Sequence, residues 1–490
     1  MTTPHTSDRT GGVVAVLAFA GIVASLMQTL VVPLIGQLPQ ILGTTASSAS
    51  WVVTATLLSG SVCMPVAGRL ADTYGKRQMI LVLLVPLVVG SVICALATSL
   101  VPMLVGRTLQ GLATAMVPLG ISLLHEVLPP LKVHSAMALM SSSLGIGGAL
   151  GLPIAATVAE LADWRFLFWG TAVLSLVVGA LVVRIVPAPP RPERHARFDM
   201  VGAIGLGVSL ICLLLAISKG STWGWGSATT LGTLVAGVVV LLAWGWWELR
   251  TSDPLVDLRV AALRPVLLTN AASIVVGFAL YAQSLIVPQI LQLPRATGYG
   301  LGQSMLQMGL WMAPSGLAMM ALSPTGARLS RARGPKATLI VGSIIMAAGY
   351  ATNIAVMGSP VGLMIGTCIT SAGLGFAFGS MPALILGGVP KSQSASANSF
   401  NSLMRSIGTT VSAAVVGAVL AQMSAPLGEH LVPTQAGFRA GLLIAGVMAV
   451  AAGLIALTIP VRRRLAEGSA DGDENGADAV TPEARSVPVV

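Results

Sequence analysis

Fourteen times between Gly11 and Pro460 the chain returns to an apolar run of about 18 or more residues, each long enough to cross a hydrocarbon core of roughly 30 Å as a helix. In hydrocarbon every backbone N–H and C=O must find its partner inside the protein, which only helices and closed barrels achieve. Barrel strands would read as short alternating segments, and these are absent. The expected fold is all-α and polytopic. Composition agrees, with 54% of 490 residues hydrophobic and 9% charged, where a soluble domain carries about 25% charged residues.

The expected spans are 13–35, 50–70, 79–98, 102–124, 136–158, 166–187, 201–218, 229–248, 266–290, 302–322, 337–357, 361–388, 399–421 and 438–460. The first run continues too far for a cleaved signal peptide and should remain as a span. An even number puts both termini on one side. With the amino terminus inside, Arg165, Lys219, Arg295 and Arg439 fall outside, Arg107 and Arg405 lie within spans, and the other 21 of the 27 Lys and Arg are cytoplasmic. That is the positive-inside bias. Its clusters are Lys76-Arg77, Arg191/Arg194/Arg197, Arg328/Arg331/Arg333/Lys336 and Arg462-Arg463-Arg464. Trp51, Trp164, Trp223 and Trp225 near outer ends, and Trp244, Trp246 and Trp247 near an inner end, fit interfacial belts. The segment 1–12 reads as a short cytoplasmic terminus, 188–200 as a Pro and Arg rich joint, 249–265 as a cytoplasmic loop, and the acidic 461–490 as a disordered tail.

Several functions are excluded. A net charge of +10 spread over short loops makes no nucleic-acid surface. Cys63, Cys94, Cys212 and Cys368 all lie in apolar runs without close pairs, so they offer neither a disulfide framework nor a metal spacing. His5, His125, His134, His195 and His430 fall in loops, ends or tails, which argues against an intramembrane enzyme. No Gly-x-x-x-x-Gly-Lys-Ser/Thr loop occurs, so energy must come from a gradient or a separate subunit. No cofactor or metal is implied.

The sharpest motif is Gly68-Arg69-Leu70-Ala71-Asp72-Thr73-Tyr74-Gly75-Lys76-Arg77, in the loop between the second and third spans. Its glycines permit a short turn, its acid can meet a helix amino terminus or an arginine, and its basic pair anchors the loop inside. This stretch resembles the loop signature of the major facilitator superfamily, Gly-x-Leu-x-Asp-x-x-Gly-x-Arg. Leu104-Val105-Gly106-Arg107-Thr108-Leu109-Gln110-Gly111 looks like that superfamily's arginine motif. Gly145-Ile146-Gly147-Gly148-Ala149-Leu150-Gly151-Leu152-Pro153 looks like its antiporter motif, with Leu152 where proline is usual and Ala155-Ala156 where two glycines are usual. Asp163-Trp164-Arg165, Trp247-Glu248-Leu249-Arg250 and Pro254-Leu255-Val256-Asp257-Leu258-Arg259 look like the fourteen-span drug and proton antiporter branch. Ala327-Arg328-Leu329-Ser330-Arg331-Ala332-Arg333-Gly334-Pro335-Lys336 resembles a degenerate second copy of the loop motif.

The resemblance implies two pseudo-symmetric six-helix bundles, 13–187 and 266–460, with two inserted helices over 201–248. It makes Gly68, Asp72, Gly75, Arg77, Gly151 and Pro153 gating residues, and Arg107, Arg405, Glu160 and Asp163 candidates for coupling. An arginine at the bilayer centre costs about 2.5 to 3.5 kcal/mol on insertion scales, so Arg107 should face protein or a watery cavity, unless it snorkels to the surface. Ser25, Gln28 and Thr29, then Gln303, Gln307 and Trp311, then Asn398, Asn401 and Arg405 recur at helical spacing and are candidates for a substrate cavity, with interhelical hydrogen bonding the plain alternative. Of the 17 acids none lies in the middle third of a span, and Met27 stands where the antiporter branch often carries an aspartate. The function expected by resemblance is a monomeric exporter of small amphiphilic molecules in exchange for protons, set in the lipid bilayer. An uncoupled or lipid-moving facilitator and a membrane receptor are the rivals.

Overall fold

The computed structural model describes residues 5–31, 34, 37–49, 51–188, 198–427 and 430–460. The clusters Arg191/Arg194/Arg197 and Arg462-Arg463-Arg464, most of the 188–200 joint, and the 461–490 tail lie outside the described residues. The helices all belong to one unit, Met1–Ile459.

Thirteen helices among the described residues are long and apolar enough to cross a membrane. In chain order they are α1 (His5–Thr29), α2 (Trp51–Tyr74), α3 (Lys76–Leu96), α4 (Leu100–Val127), α5 (Pro130–Leu161), α6 (Arg165–Ile185) and α7 (Met200–Trp223). After these come α8 (Ala228–Glu248), α9 (Arg264–Gln292), α10 (Met305–Ala355), α11 (Pro360–Leu386), α12 (Ser394–Gln422) and α13 (Gln435–Thr458). Several of their starts carry oxygen caps for orphan N–H groups. Asp199 accepts from Gly202 N at 2.8 Å before α7, Ser227 from Thr230 N at 3.2 Å before α8, and Thr434 from Gly437 N at 3.2 Å before α13.

The expected spans 302–322 and 337–357 arrive as one 51-residue run, α10. At 1.5 Å per residue that is about 76 Å, more than twice a hydrocarbon core. The run is broken at Gly334, whose φ of 85° and ψ of 161° are not helical. Pro335 follows it, and proline's fixed φ suits the first turn of a new helix. Two helical arms therefore meet at one glycine. α4 is interrupted more gently, by a 3₁₀ turn over Ala113–Ala115.

Two large apolar clusters organise the packing. One gathers residues of α1 to α6, Leu17, Met27, Leu87 and Val182 among them; the other gathers α9 to α13, including Ile286, Met346, Phe378 and Phe438. α7 and α8 pair with each other and dock against α2 and α12 through a smaller cluster of Leu206, Leu210, Leu214, Trp244 and Leu403. The chain leaving α8 enters that cluster, burying Leu255 and Val256. The rest of α8 stays outside it, and Leu231, Val235, Val239 and Leu242 are exposed. Such a continuous apolar face belongs against lipid. A short hairpin that the apolar pattern does not announce joins α12 to α13: β1 (Ser424–Leu427) pairs antiparallel with β2 (His430–Pro433), with Ala425 opposite Val432. Tyr299 donates its hydroxyl to Pro433 O and holds the hairpin to the α9–α10 connection.

The Gly334 break generates a stability test. A left-handed φ costs a non-glycine residue about 1 to 2 kcal/mol. Gly334→Ala should therefore lower the thermal midpoint of the purified protein in detergent, whereas Gly417→Ala, at a helical position with nothing within 4 Å of the added Cβ, should hold or raise it.

Candidate functional site

The loop motif sits where the two clusters meet. α2 approaches α12 so closely that a Cβ on Gly68 would stand 2.7 Å from Ser399 Cβ and 2.9 Å from Ala395 O. One turn on, Asp72 faces the first turn of α12: Ala395 N and Ser396 N donate to its carboxylate at 3.0 and 2.8 Å, and the Ser396 hydroxyl donates to it as well. A carboxylate thus caps a helix on the far side of the junction, matching its charge to the positive end of the helix dipole. Arg69 reaches Asp253 at 3.7 Å, in the chain leaving α8. Gly75, with φ 103°, turns the chain into α3. Lys76 then pairs with Glu126 at 2.6 Å, and Arg77 donates to Val183 O at 2.9 Å. Between α2, the 249–261 segment and the start of α12 lies a cavity of about 280 Å³, lined by Arg69, Asp72, Asp253, Asp257 and Gln393.

Arg107 is 1% exposed, which rules out snorkelling. Its Nη1 donates to Met27 O at 3.0 Å and to Gln110 Oε1 at 2.8 Å, and its Nε to Val52 O at 3.3 Å. Gln110 passes the chain of bonds to Ser91 Oγ at 2.8 Å. The guanidinium therefore ties α1, α2, α3 and α4 together through carbonyls and amides. Among the described residues it has no carboxylate partner. Met27 itself, with its sulfur 3.9 Å from Nη1, fills the space beside the charge.

The glycine-rich stretch of α5 is a packing face on two sides. Toward α1, a Cβ on Gly147 would lie 2.6 Å from Ile22 O, and one on Gly151 would overlap Thr29 Oγ1. Toward α10, Gly309 lies under Pro153, and a Cβ on Gly316 would lie 2.6 Å from Gly145 O. Ser25 donates to Leu144 O at 2.7 Å and Thr29 to Gly147 O at 3.4 Å, both on α5. Both hydroxyls serve helix packing, and of that stripe Gln28 is left half-buried.

Gln303 precedes α10 rather than lying on it, because Ser304 caps the helix and Gln307 completes the capping box through Ser304 N at 3.0 Å. Gln303 Oε1 accepts from Trp311 Nε1 at 2.9 Å and holds that ring in place. The α12 stripe is different. Asn398 donates across the junction to Pro118 O of α4 at 2.8 Å; Asn401 donates to Asn270 Oδ1 at 2.9 Å and Ser273 Oγ at 2.7 Å of α9. Arg405, one turn further, stacks over Phe378 at 4.8 Å and donates to Ser402 Oγ at 3.1 Å. Asp163 is in the turn before α6, bound to Arg165 at 3.4 Å; the Glu160 side chain lies outside the described residues.

Sequence reasoning missed Ser396, Asn270, and the Ser61–Ser406 hydroxyl pair at 2.8 Å between α2 and α12. Their partners lie more than a hundred residues away in the chain, so nothing local singles them out. The close contacts on α5 give a matched test. Gly147→Ala should lower thermal stability in detergent by about 1 to 3 kcal/mol through overpacking, while Gly148→Ala, with nothing within 4 Å of the new Cβ, should not.

The sequence pattern of the Major Facilitator Superfamily matches residues 17–413 and again 269–490. An uncharacterized MFS-type transporter of Mycobacterium tuberculosis is 29% identical over 362 residues, 71% of this chain and 52% of the relative, so this chain spans about half the length of that protein. Multidrug resistance protein Stp of the same organism is 27% identical over 388 residues, covering 78% of this chain and 70% of Stp. The human organic anion transporter MFSD10 (TETRAN) superposes with a TM-score of 0.64 at 16% identity, covering 93% of this chain and all of that one, a likeness of fold alone. The paired apolar clusters, the loop motif bridging them and these matches lead to one conclusion: the chain belongs to the Major Facilitator Superfamily and is a multi-pass protein of the cell membrane.

Proposed function

We propose that this chain is a secondary active exporter of small amphiphilic molecules that works by alternating access in exchange for protons. The observation that carries the reading is the Asp72 cap on α12, a polar contact that joins the two clusters and can be made or broken as a unit. The bundles 13–187 and 266–460 rock about the junction between them, with α7 and α8 inserted as a docked pair. Taking the two arms of α10 as separate crossings makes fourteen in this reading, and the positive-inside bias supports putting both termini, with the basic loops, in the cytoplasm. The contact of Asp72 with α12 then closes the cytoplasmic side and favours an outward-open state. Stp supports the drug-like class of substrate by its name. The drive we infer is a proton gradient, since the sequence carries no nucleotide-binding loop; protonating Asp72 would remove the charge that its three donors and the helix end hold, and would release the gate.

A helix-terminus interaction of about 1 to 2 kcal/mol shifts a two-state balance roughly 5- to 30-fold. Asp72→Asn, expressed and inserted normally, should therefore lose most of its transport in inverted vesicles energised by a pH gradient. Wild-type rates in that variant would sink the gate, and wild-type rates that ignore collapse of the gradient would sink the proton exchange.

Arg107 acts in this reading as the tie that moves α1, α2, α3 and α4 as one body. Arg107→Ala should abolish efflux by leaving buried carbonyls without donors. Arg107→Lys, which keeps the charge but loses the planar fork, should retain a fraction of it. Vesicle transport normalised to protein level is the measurement.

A further inference from the structure

We propose that Arg405 is the counter-charge for the transported molecule, and that the substrates are anionic amphiphiles: an apolar body bearing a carboxylate, sulfonate or phosphate-type group. The inference rests on the efflux reading above and names its substrate class.

Position is the first argument. Arg405 shares a face of α12 with Asn398 and Asn401, whose amides reach α4 on one side and α9 on the other. The next residue, Ser406, meets Ser61 of α2. The guanidinium therefore stands where helices from both clusters converge. It lies about 17 Å along α12 from Ser394, near the middle of a membrane by helical rise. Buried Phe378 beneath it and the α9 backbone at Gly277, whose added Cβ would come 3.1 Å from Arg405 Cγ, keep the side chain turned inward.

Its hydrogen bonding is the second. Among the described residues Arg405 gives one hydrogen bond, from Nη2 to Ser402 Oγ. Its Nε and Nη1 carry none and are not among the sealed polar atoms that lack a partner, so they open onto accessible space. The side chain is accordingly half-buried, in contrast to Arg107, whose bonds to Met27, Val52 and Gln110 account for its place in the packing. Nη2 keeps its second hydrogen, and beside the free Nε or Nη1 it presents one two-donor edge of the planar guanidinium, which matches the fork of a carboxylate or sulfonate.

Electrostatics is the third. Among the described residues the ion pairs are Arg69–Asp253, Lys76–Glu126 and Arg165–Asp163, none of them with Arg405. A positive charge in a low-dielectric interior without an acid repels a cationic ligand and is relieved by an anionic one. Phe378 delocalises part of the charge but offers no anion.

The test uses the full chain reconstituted in phosphatidylcholine liposomes, with three probes: anilinonaphthalene sulfonate as anion, chloramphenicol as neutral molecule and ethidium as cation. Wild-type protein should move the sulfonate at least about tenfold faster than ethidium, and Arg405→Gln should slow the sulfonate by about tenfold while chloramphenicol stays within about twofold. Arg405→Lys should fall between the two, since it keeps the charge without the fork. Ethidium moving as fast as the sulfonate would overturn the inference. So would an equal loss of sulfonate and chloramphenicol in Arg405→Gln, which would mark a packing or coupling role. Wild-type transport of chloramphenicol without the sulfonate would reject the substrate class and leave efflux standing, whereas no movement of any probe would reject efflux itself and this inference with it.

Discussion

Helices already immersed in hydrocarbon gain little by hiding apolar side chains from each other, so close backbone contact has to hold such a chain together. Glycine supplies it here at nearly every crossing. A Cβ on Gly90 would stand 2.5 Å from Gly106 O between α3 and α4, one on Gly342 would stand 2.8 Å from Gly373 O between α10 and α11, and one on Gly408 would overlap Ile274 O between α9 and α12. The polar contacts depend on these approaches. Asp72 reaches the amides of α12 because Gly68, one turn earlier, lets the two backbones meet. Arg107 reaches the carbonyls of α1 and α2 because Gly106 and Gly111 beside it bring α3 and α2 within range.

The degenerate repeat is visible in geometry as well as in letters. Gly75 and Gly334 both take a positive φ at the same place in their loops. Arg77 then donates to Val183 O at the end of α6, and Lys336, its counterpart, donates to Leu457 O and Ile459 O at the end of α13 at 2.8 and 2.7 Å. Each half thus pins its last helix to the turn of its loop motif with a base. The acid is not repeated. Where the first copy has Asp72, the second has Arg331, a base that cannot accept from a helix amino terminus. The charged cap across the junction is therefore one-sided, and it stands beside the uncharged bonds of Asn398 to Pro118 O and of Ser61 to Ser406.

Two arginines in apolar helices have been fitted to their surroundings in opposite ways. Arg107 is enclosed and spends its donors on main-chain carbonyls and Gln110, so its charge is solvated by peptide dipoles without any acid. Met27, at the position where the branch that the sequence resembles often carries an aspartate, touches that same guanidinium. A carboxylate there would face Arg107 directly, and its replacement by a thioether removes the pair while keeping the packing. Arg405 is left half-open over Phe378.

The sequence by itself determined the class of fold, because apolar runs of span length admit only helices whose backbone bonds close within the segment. It also singled out Asp72, since an acid between two glycines, followed by a basic pair, has a physical use at a helix terminus. It also pointed Arg107 toward protein or a watery cavity, with snorkelling as the alternative that burial in the fold removed. Tertiary structure alone decided which terminus Asp72 caps, since its partners Ala395 and Ser396 are over three hundred residues away and local pattern carries no trace of them. It also gave Ser25 and Thr29 partners on α5, and set Gln303 ahead of α10 and Gln307 in its capping box, because a polar side chain on an apolar helix reads the same in sequence whether it faces a neighbour's carbonyl or open space. Only the fold separated the two arginines, for the difference lies in how many carbonyls surround each guanidinium, and those come from helices distant in the chain.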